Sequence, residues 1–223
     1  MTSLSPIETF RQHIVDDGSI MDPEGVHHGF VSGVHGQKLD FDKVSDGSEL
    51  FGEWVDVSAH DINVHHLYLP RFVLGVANGT NRLALAVADR LTDISEGTEQ
   101  VEGLVSAKDP DNRKRLFLPE VTLEAISAEE PELVVIVEDV GTRGTNSVQV
   151  AEQALLAGAK DVVVQVTWQR GIALTRLEER GVQYRAIIKE HLPDFEPEAC
   201  RSAEDGFCRR GWQFVPWSSA QTT

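Results

Sequence analysis

Two short β-branched runs limit this chain more than any other feature: "LVVIV", ending at Val137, and "DVVVQV", ending at Val166. Each is bounded by polar turn residues and too short for a buried helix, so each reads as a central strand covered on both faces. The segment between them, "SVQVAEQALLAGAKD", has helical periodicity and a stop at Gly158. Downstream, "ALTRLEERG" reads as a helix and "VQYRAII" as a further strand; upstream, "RFVLGVANGTNRLALAVADRL" reads as strand, glycine turn and helix from about Thr80 to Leu91. Strands alternating with helices of this length predict right-handed βαβ units and an α/β fold with a doubly wound parallel sheet. Ligands of such sheets bind at the carboxyl ends of the strands.

The flanks are less regular. In "SPIETFRQHIVDDG", Ile7, Phe10 and Ile14 share one helical face, with Ser5 placed to cap and Gly18 to stop. "SGVHGQKLDFDKV" turns on Gly33 and Gly36 and then alternates Leu39 and Phe41 with Asp40 and Asp42, which predicts a hairpin strand with both aspartates at the surface. Around "VEGLVSAKDPDNRKRLFLP" a short strand is expected on each side of a basic loop. The tail carries Trp212 and Trp217 among prolines with little periodicity, so its tryptophans are expected to dock it on the core. The 223 residues are thus read as one domain, with residues 1–45 as a hood region and hairpin arm, 104–118 as a flexible loop and 192–223 as a C-terminal tail completing the hood.

A formal charge of −16, from 36 acidic against 20 basic residues, repels nucleic acid and anionic membranes, so any phosphate site must be local. No run approaches the roughly 18 apolar residues of a membrane span, and the N-terminus has no secretion signal, so a cytoplasmic location is expected. Cys200 and Cys208, separated by seven residues, are expected as free thiols rather than a zinc site or a disulfide. The adjacent pairs His27–His28 and His65–His66 would point to opposite faces of a strand, and no metal-binding spacing surrounds them.

The chemistry concentrates in "VVIVEDVGTRGTNS", where the first run ends in Glu138 and Asp139 and then in a turn. A helix start offers unpaired N–H groups and partial positive charge, so Thr142, Arg143, Gly144, Thr145 and Asn146 are placed to wrap a phosphate. Neither a Gly-Lys-Ser/Thr ending nor GxGxxG is present, which excludes the common nucleotide loops. Two carboxylates just before a phosphate cradle suit the vicinal hydroxyls of a sugar 5-phosphate.

Four apolar residues, Glu138-Asp139, then Thr142, Gly144 and Thr145 resemble the signature of the type I phosphoribosyltransferases, which bind phosphoribosyl pyrophosphate (PRPP). "GFVSGVHGQKLDFDKV", "VLGVANGTNRLALAVA" and "AGAKDVVVQVTWQRG" are similar, in order and spacing over most of residues 20 to 190, to segments of the orotate phosphoribosyltransferases. The resemblance implies transfer of a phosphoribosyl group from PRPP to a base, most similar to orotate. It implies Glu138 and Asp139 on the ribose hydroxyls, the following turn on the 5-phosphate, and Ala77, Asn78 and Gly79 on pyrophosphate. It further implies Lys38 and Arg170 in the base pocket, and Lys108, Arg113 and Lys114 closing a loop over pyrophosphate. Magnesium would bridge pyrophosphate and ribose with few direct protein ligands, and a homodimer is expected. The chain departs from the resemblance in lacking a His-Gly in the loop and in reading Gln169-Arg170 where Asp-Arg is frequent. Two other functions stay open: the same transfer to another base, and a PRPP-sensing protein without turnover.

Overall fold

The computed structural model describes residues 4–17, 20–21, 24–29, 35–77, 79–112, 115–170 and 174–216. Its strands are β1 (Val26–Gly29), β2 (His35–Gly36), β3 (Phe72–Gly75), β4 (Glu102–Val105), β5 (Ala107–Lys108), β6 (Leu116–Phe117), β7 (Val134–Gly141), β8 (Val162–Gln169), β9 (Gln183–Lys189), β10 (Asp194–Phe195) and β11 (Gln213–Val215). The helices are α1 (Pro6–Asp16), α2 (Glu49–His65), α3 (Asn81–Ile94), α4 (Glu120–Glu129), α5 (Thr145–Leu156), α6 (Thr175–Glu179) and α7 (Pro197–Ser202).

The central sheet has the order β4-β3-β7-β8-β9, and every neighbouring pair is parallel. Renumbered along the chain, these five strands run 2-1-3-4-5, the second common doubly wound order, whose direction of winding reverses between the first strand and the third. That switch point lies between the carboxyl ends of β3 and β7. Burial explains the unbroken apolar runs: Val73, Val135, Val137 and Val163 face Trp54, Leu83, Val87 and Leu91 on one side, while Phe72, Leu74, Val134, Ile136 and Val164 face Ile126, Val150 and Ala154 on the other. Leucine and valine on successive positions therefore serve two cores at once.

α1 forms as its sequence predicts, with the Ser5 hydroxyl accepting from the Glu8 amide; Gly18 lies outside the described residues. α2 has no counterpart in the sequence reading. Trp54, Val55, Val57, Ser58, Ala59, Asp61 and Ile62 are all buried, so the helix is covered round most of its circumference and shows no clean apolar stripe. Two of its buried polar side chains are satisfied internally, the Trp54 indole N–H donating to Thr167 Oγ1 at 2.7 Å and the Gln165 amide to Asp61 Oδ2 at 3.0 Å.

One strand expectation is corrected. Phe41–Lys43 is a turn of 3-10 helix, not a hairpin strand. Phe41 and Val44 are buried and α3 holds the segment from below, with Arg82 donating to the carbonyls of Phe41 and Val44 and pairing with Asp46. Tertiary contacts override the alternating pattern there. The true arm is shorter: β1 and β2 pair antiparallel, β2 pairs with β10, and β1 runs parallel to β11, so both ends of the chain build a second sheet of order β10-β2-β1-β11. Trp212 stacks on Phe207 in this hood, with ring centroids 4.7 Å apart, while Trp217 lies outside the described residues.

Candidate active site

β7 delivers Glu138 and Asp139 to the switch point, and alternation along the strand sends them to different surroundings. Glu138 is buried and accepts from the Ser147 hydroxyl in the first turn of α5. Burial pushes its pKa up to about 8, the Ser147 hydrogen bond only partly opposing it and the Asp139 charge adding to it. Glu138 therefore ties the strand to the helix. Asp139 is half-buried and turns toward the neighbouring loop, with Oδ1 accepting from the Val140 amide at 2.7 Å. Burial also raises its pKa, and the charges of Asp42 and Asp40 raise it further.

The turn expected to hold phosphate follows at once. Gly144 sits in the left-handed region at φ 73° and starts α5 without a side-chain cap. A Cβ there would come within 2.7 Å of Leu177, so only glycine allows this conformation and this close packing on α6. Thr142, Arg143, Thr145 and Asn146 are exposed in this turn, beside a helix start that no side chain caps.

Opposite lies the loop from Val76 to Thr80. The Thr80 hydroxyl donates to the carbonyl of Val137 at 2.7 Å and accepts from the Val76 amide at 2.9 Å, bracing the loop against β7. Ala77 also stands here, but its amide donates to Ser106 Oγ at 2.8 Å, so that N–H is spent on the scaffold. Asn78 lies outside the described residues. At Gly79 a Cβ would lie 3.1 Å from Asp42 Oδ1 and 3.3 Å from Asp139 Oδ2. Two carboxylates thus flank one glycine, and Asp42, expected at the surface, is exposed there and stands beside Asp139.

The base-pocket candidates divide. The Lys38 ammonium donates to Asp40 Oδ2 at 2.6 Å, on the same side as Asp42. Arg170 follows β8, is 6% exposed, and its guanidinium pairs with Asp194 of the hood. On the following helix, Glu178 accepts from the Tyr184 hydroxyl and Glu179 pairs with Arg176. The pKa of Asp194 is raised by burial, while Arg170, His191 and Arg143 act to lower it, so those basic side chains gather around one carboxylate.

In the basic loop, β5 and β6 pair as a hairpin and Lys108 is exposed upon it. Its tip is shaped by Asp109, whose side chain accepts from the amides of Asp111 and Asn112 at 2.9 and 3.1 Å. Arg113 and Lys114 lie outside the described residues. Four contributors escaped sequence reasoning. Asp42, Ser106 and Asp194 reach the site from distant segments with no local motif, whereas Ser147, nine residues after Glu138, had a signal: in the first turn of the helix that follows, it faces back to the strand. Two hollows, of about 460 Å³ between α4 and α5 and about 520 Å³ at the amino ends of the strands, lie away from this site.

No family profile matches the sequence, and no curated protein does. Solved structures do match. Orotate phosphoribosyltransferase from Aeropyrum pernix aligns with a TM-score of 0.55 at 18% identity, over 79% of this chain and 92% of its own. Orotate phosphoribosyltransferase from Mycobacterium tuberculosis aligns at 0.57 and 15%, over 83% and 97%. Adenine phosphoribosyltransferase from Saccharomyces cerevisiae gives 0.56 and 12%, over 81% and 99%. Orotate and adenine enzymes align almost equally well, so the likeness speaks for the scaffold and not for a base. The chain has the type I phosphoribosyltransferase fold.

Proposed function

We propose that this protein transfers a phosphoribosyl group from PRPP to a nitrogenous base, with orotate as the base and orotidine 5-phosphate and pyrophosphate as products. One observation carries the reading. At the switch point of a sheet with this fold, the acidic pair runs directly into a left-handed glycine and an uncapped helix start. The helix-start amides with Thr142, Thr145 and Asn146 hold the 5-phosphate, and Asp139 holds the ribose hydroxyls. Loss of pyrophosphate leaves positive charge on the ribose ring, which the nearby carboxylate of Asp139 favours. The incoming base nitrogen attacks the anomeric carbon, and Lys108, Arg113 and Lys114 close over the leaving group and exclude water.

Magnesium suits the donors present, because Asp42 and Asp139 offer hard carboxylate oxygens on either side of Gly79 and PRPP supplies the rest. Those two residues would hold it, and the ion would neutralise charge on pyrophosphate. If the basic loop serves a neighbouring subunit's site, the working form is a homodimer, which light scattering tests.

The Arg170–Asp194 pair favours a second reading, transfer to a neutral base, since a guanidinium already neutralised has less to give a carboxylate. The deciding assay is pyrophosphate release from PRPP and magnesium with orotate, uracil, adenine and hypoxanthine in turn. Release with orotate alone supports the first reading, release with a neutral base the second. PRPP binding without release from any base would point to a sensor.

A further inference from the structure

Away from the crevice, the hood brings four metal-ligating side chains together. His27 of β1, His35 of β2, Cys200 of α7 and Cys208 of the turn beyond it each present one nitrogen or sulfur atom, and these atoms all lie within 4.8 Å of one another. His27 Nε2 is 3.3 Å from Cys208 Sγ, and His35 Nδ1 is 3.4 Å from the same sulfur. In a tetrahedral zinc site, bond lengths of about 2.0–2.1 Å to nitrogen and about 2.3 Å to sulfur put neighbouring ligand atoms roughly 3.3–3.8 Å apart. The two nitrogen-to-sulfur edges already meet that spacing. We propose that His27, His35, Cys200 and Cys208 form a closed, structural zinc site that fastens the N-terminal arm to the C-terminal tail.

The local fold is built toward this arrangement. Both histidines and Cys200 are buried, at 0%, 8% and 0% exposure. The chain doubles back between the cysteines: a Cβ on Gly206 would lie 2.3 Å from the Cys200 carbonyl oxygen, so glycine alone permits the approach, and the Cys208 amide then donates to Cys200 Sγ at 3.2 Å. Such N–H to sulfur bonds stabilise a metal-bound thiolate and orient it. Phe207 and Phe214 pack on the His27 ring at 5.5 and 5.3 Å, and Phe214 stacks on His35 at 4.6 Å, which shields the cluster from water.

Competing uses of these groups fit less well. A catalytic thiol needs access to a substrate, whereas Cys200 is fully buried and aromatic rings close over the histidines. A Cys200–Cys208 disulfide would use neither imidazole as a ligand, although both rings are directed at the Cys208 sulfur. Two thiolates with two imidazoles and no open position are the donor set of structural zinc. The sheet also needs a fastener, because its strands are only two to four residues long and bury little between them. Zinc there would join residues 181 positions apart. It would also steady the crevice, since Phe195 pairs with His35 across β10 and β2, and its neighbour Asp194 holds Arg170.

The test uses the full chain, produced with zinc under reducing conditions and examined by native mass spectrometry and elemental analysis. One zinc per chain is expected, along with loss of that zinc and faster amide exchange in residues 26–29, 35–36 and 194–215 after chelation. Cobalt(II) should give thiolate charge-transfer and intense tetrahedral d–d bands that zinc abolishes. Cys208→Ser should weaken zinc by more than the about 10–100-fold that loss of an outer partner costs. His35→Cys should retain zinc with a red-shifted cobalt spectrum, a result that failed folding cannot imitate. The proposal is overturned if the wild-type chain stays metal-free with titratable thiols or a Cys200–Cys208 disulfide, or gives an octahedral cobalt spectrum. Retention of zinc by Cys200→Ser/Cys208→Ser would overturn it equally.

Discussion

The turn after β7 and the hood sheet are both built from a few polar groups held by short elements, but they are assembled in opposite ways. The turn draws Glu138, Asp139, Gly144 and Ser147 from ten consecutive residues, and the strand-to-helix geometry alone decides where each points. The hood draws its histidines from residues 26–36 and its cysteines from residues 200–208, so nothing about either pair is meaningful until β1 meets β11. The difference separates a site whose chemistry travels with its own scaffold from one that exists only once the chain has closed. It follows that the turn should tolerate loss of the hood, while the hood should fail without damage to the central sheet.

The largest effect should come from Glu138, which tests whether the turn is a stability element as well as a ligand site. An unfolded glutamate ionises near pH 4.3, whereas burial holds the folded side chain protonated up to about pH 8. Between those values the unfolded state releases a proton that the folded state keeps, so stability falls as pH rises and levels off above about 8. Glu138→Gln keeps an acceptor for the Ser147 hydroxyl and removes the titration. Denaturant unfolding across this range should show the variant gaining on the wild type with pH, by roughly 3–5 kcal/mol at the alkaline end. Parallel curves would mean that Glu138 is ionised in the fold.

Asp139→Asn separates ligand binding from folding at the next residue. Asparagine preserves shape but not charge, so pyrophosphate release should fall by on the order of 10²–10³ in kcat/KM, as for loss of one preorganised electrostatic group. The folded chain should become more stable near neutral pH, because a carboxylate whose pKa is raised by burial and by Asp42 resists ionisation there. Equal activity in the variant would remove Asp139 from the ribose site.

These two residues also mark how far the sequence could be read. The strands β3, β7, β8 and β9 and the helices α1, α3 and α5 were legible because each carries its own period and punctuation, as with Ser5 before α1 and Gly158 after α5. The acidic pair and its turn were legible because they are contiguous. α2 was not, since burial on most sides erased its stripe. Nor was the turn at Phe41–Lys43, whose alternation was overruled by Arg82 gripping it from α3. His27 and His28 share no spacing with a cysteine in the sequence, and only the pairing of β1 with β11 gives one of them a partner sulfur.

Asp194→Asn acts on the link between the two regions. Its carboxylate holds the Arg170 guanidinium across the gap from hood to crevice, and loss of a charge-assisted hydrogen bond costs about 1.5–3 kcal/mol. Amide exchange should quicken in β10 and β2 while the central strands stay protected. Under the orotate reading the released Arg170 should also lower KM for the anionic base; an unchanged or higher KM would favour a neutral one.

The smallest effect is expected at Asp42, a surface residue that the 3-10 turn, rather than a strand, brings beside Gly79. Burial is the main reason that the Asp139 pKa is raised, and the Asp42 charge contributes more than that of Asp40. Lys38 donates to Asp40 at 2.6 Å and so mutes its influence, which leaves Asp42 as the charge whose removal is felt. In the ligand-free protein, Asp42→Asn should lower the Asp139 pKa, with Asp40→Asn doing so less. Stability near neutral pH should rise slightly, because a lower folded pKa narrows the window in which folding resists ionisation. Carbon-13 NMR titration of the Asp139 carboxyl resolves the order of the two shifts. If neither variant moves it, the approach of Asp42 and Asp139 at Gly79 has no electrostatic consequence, and the site reduces to the contiguous turn.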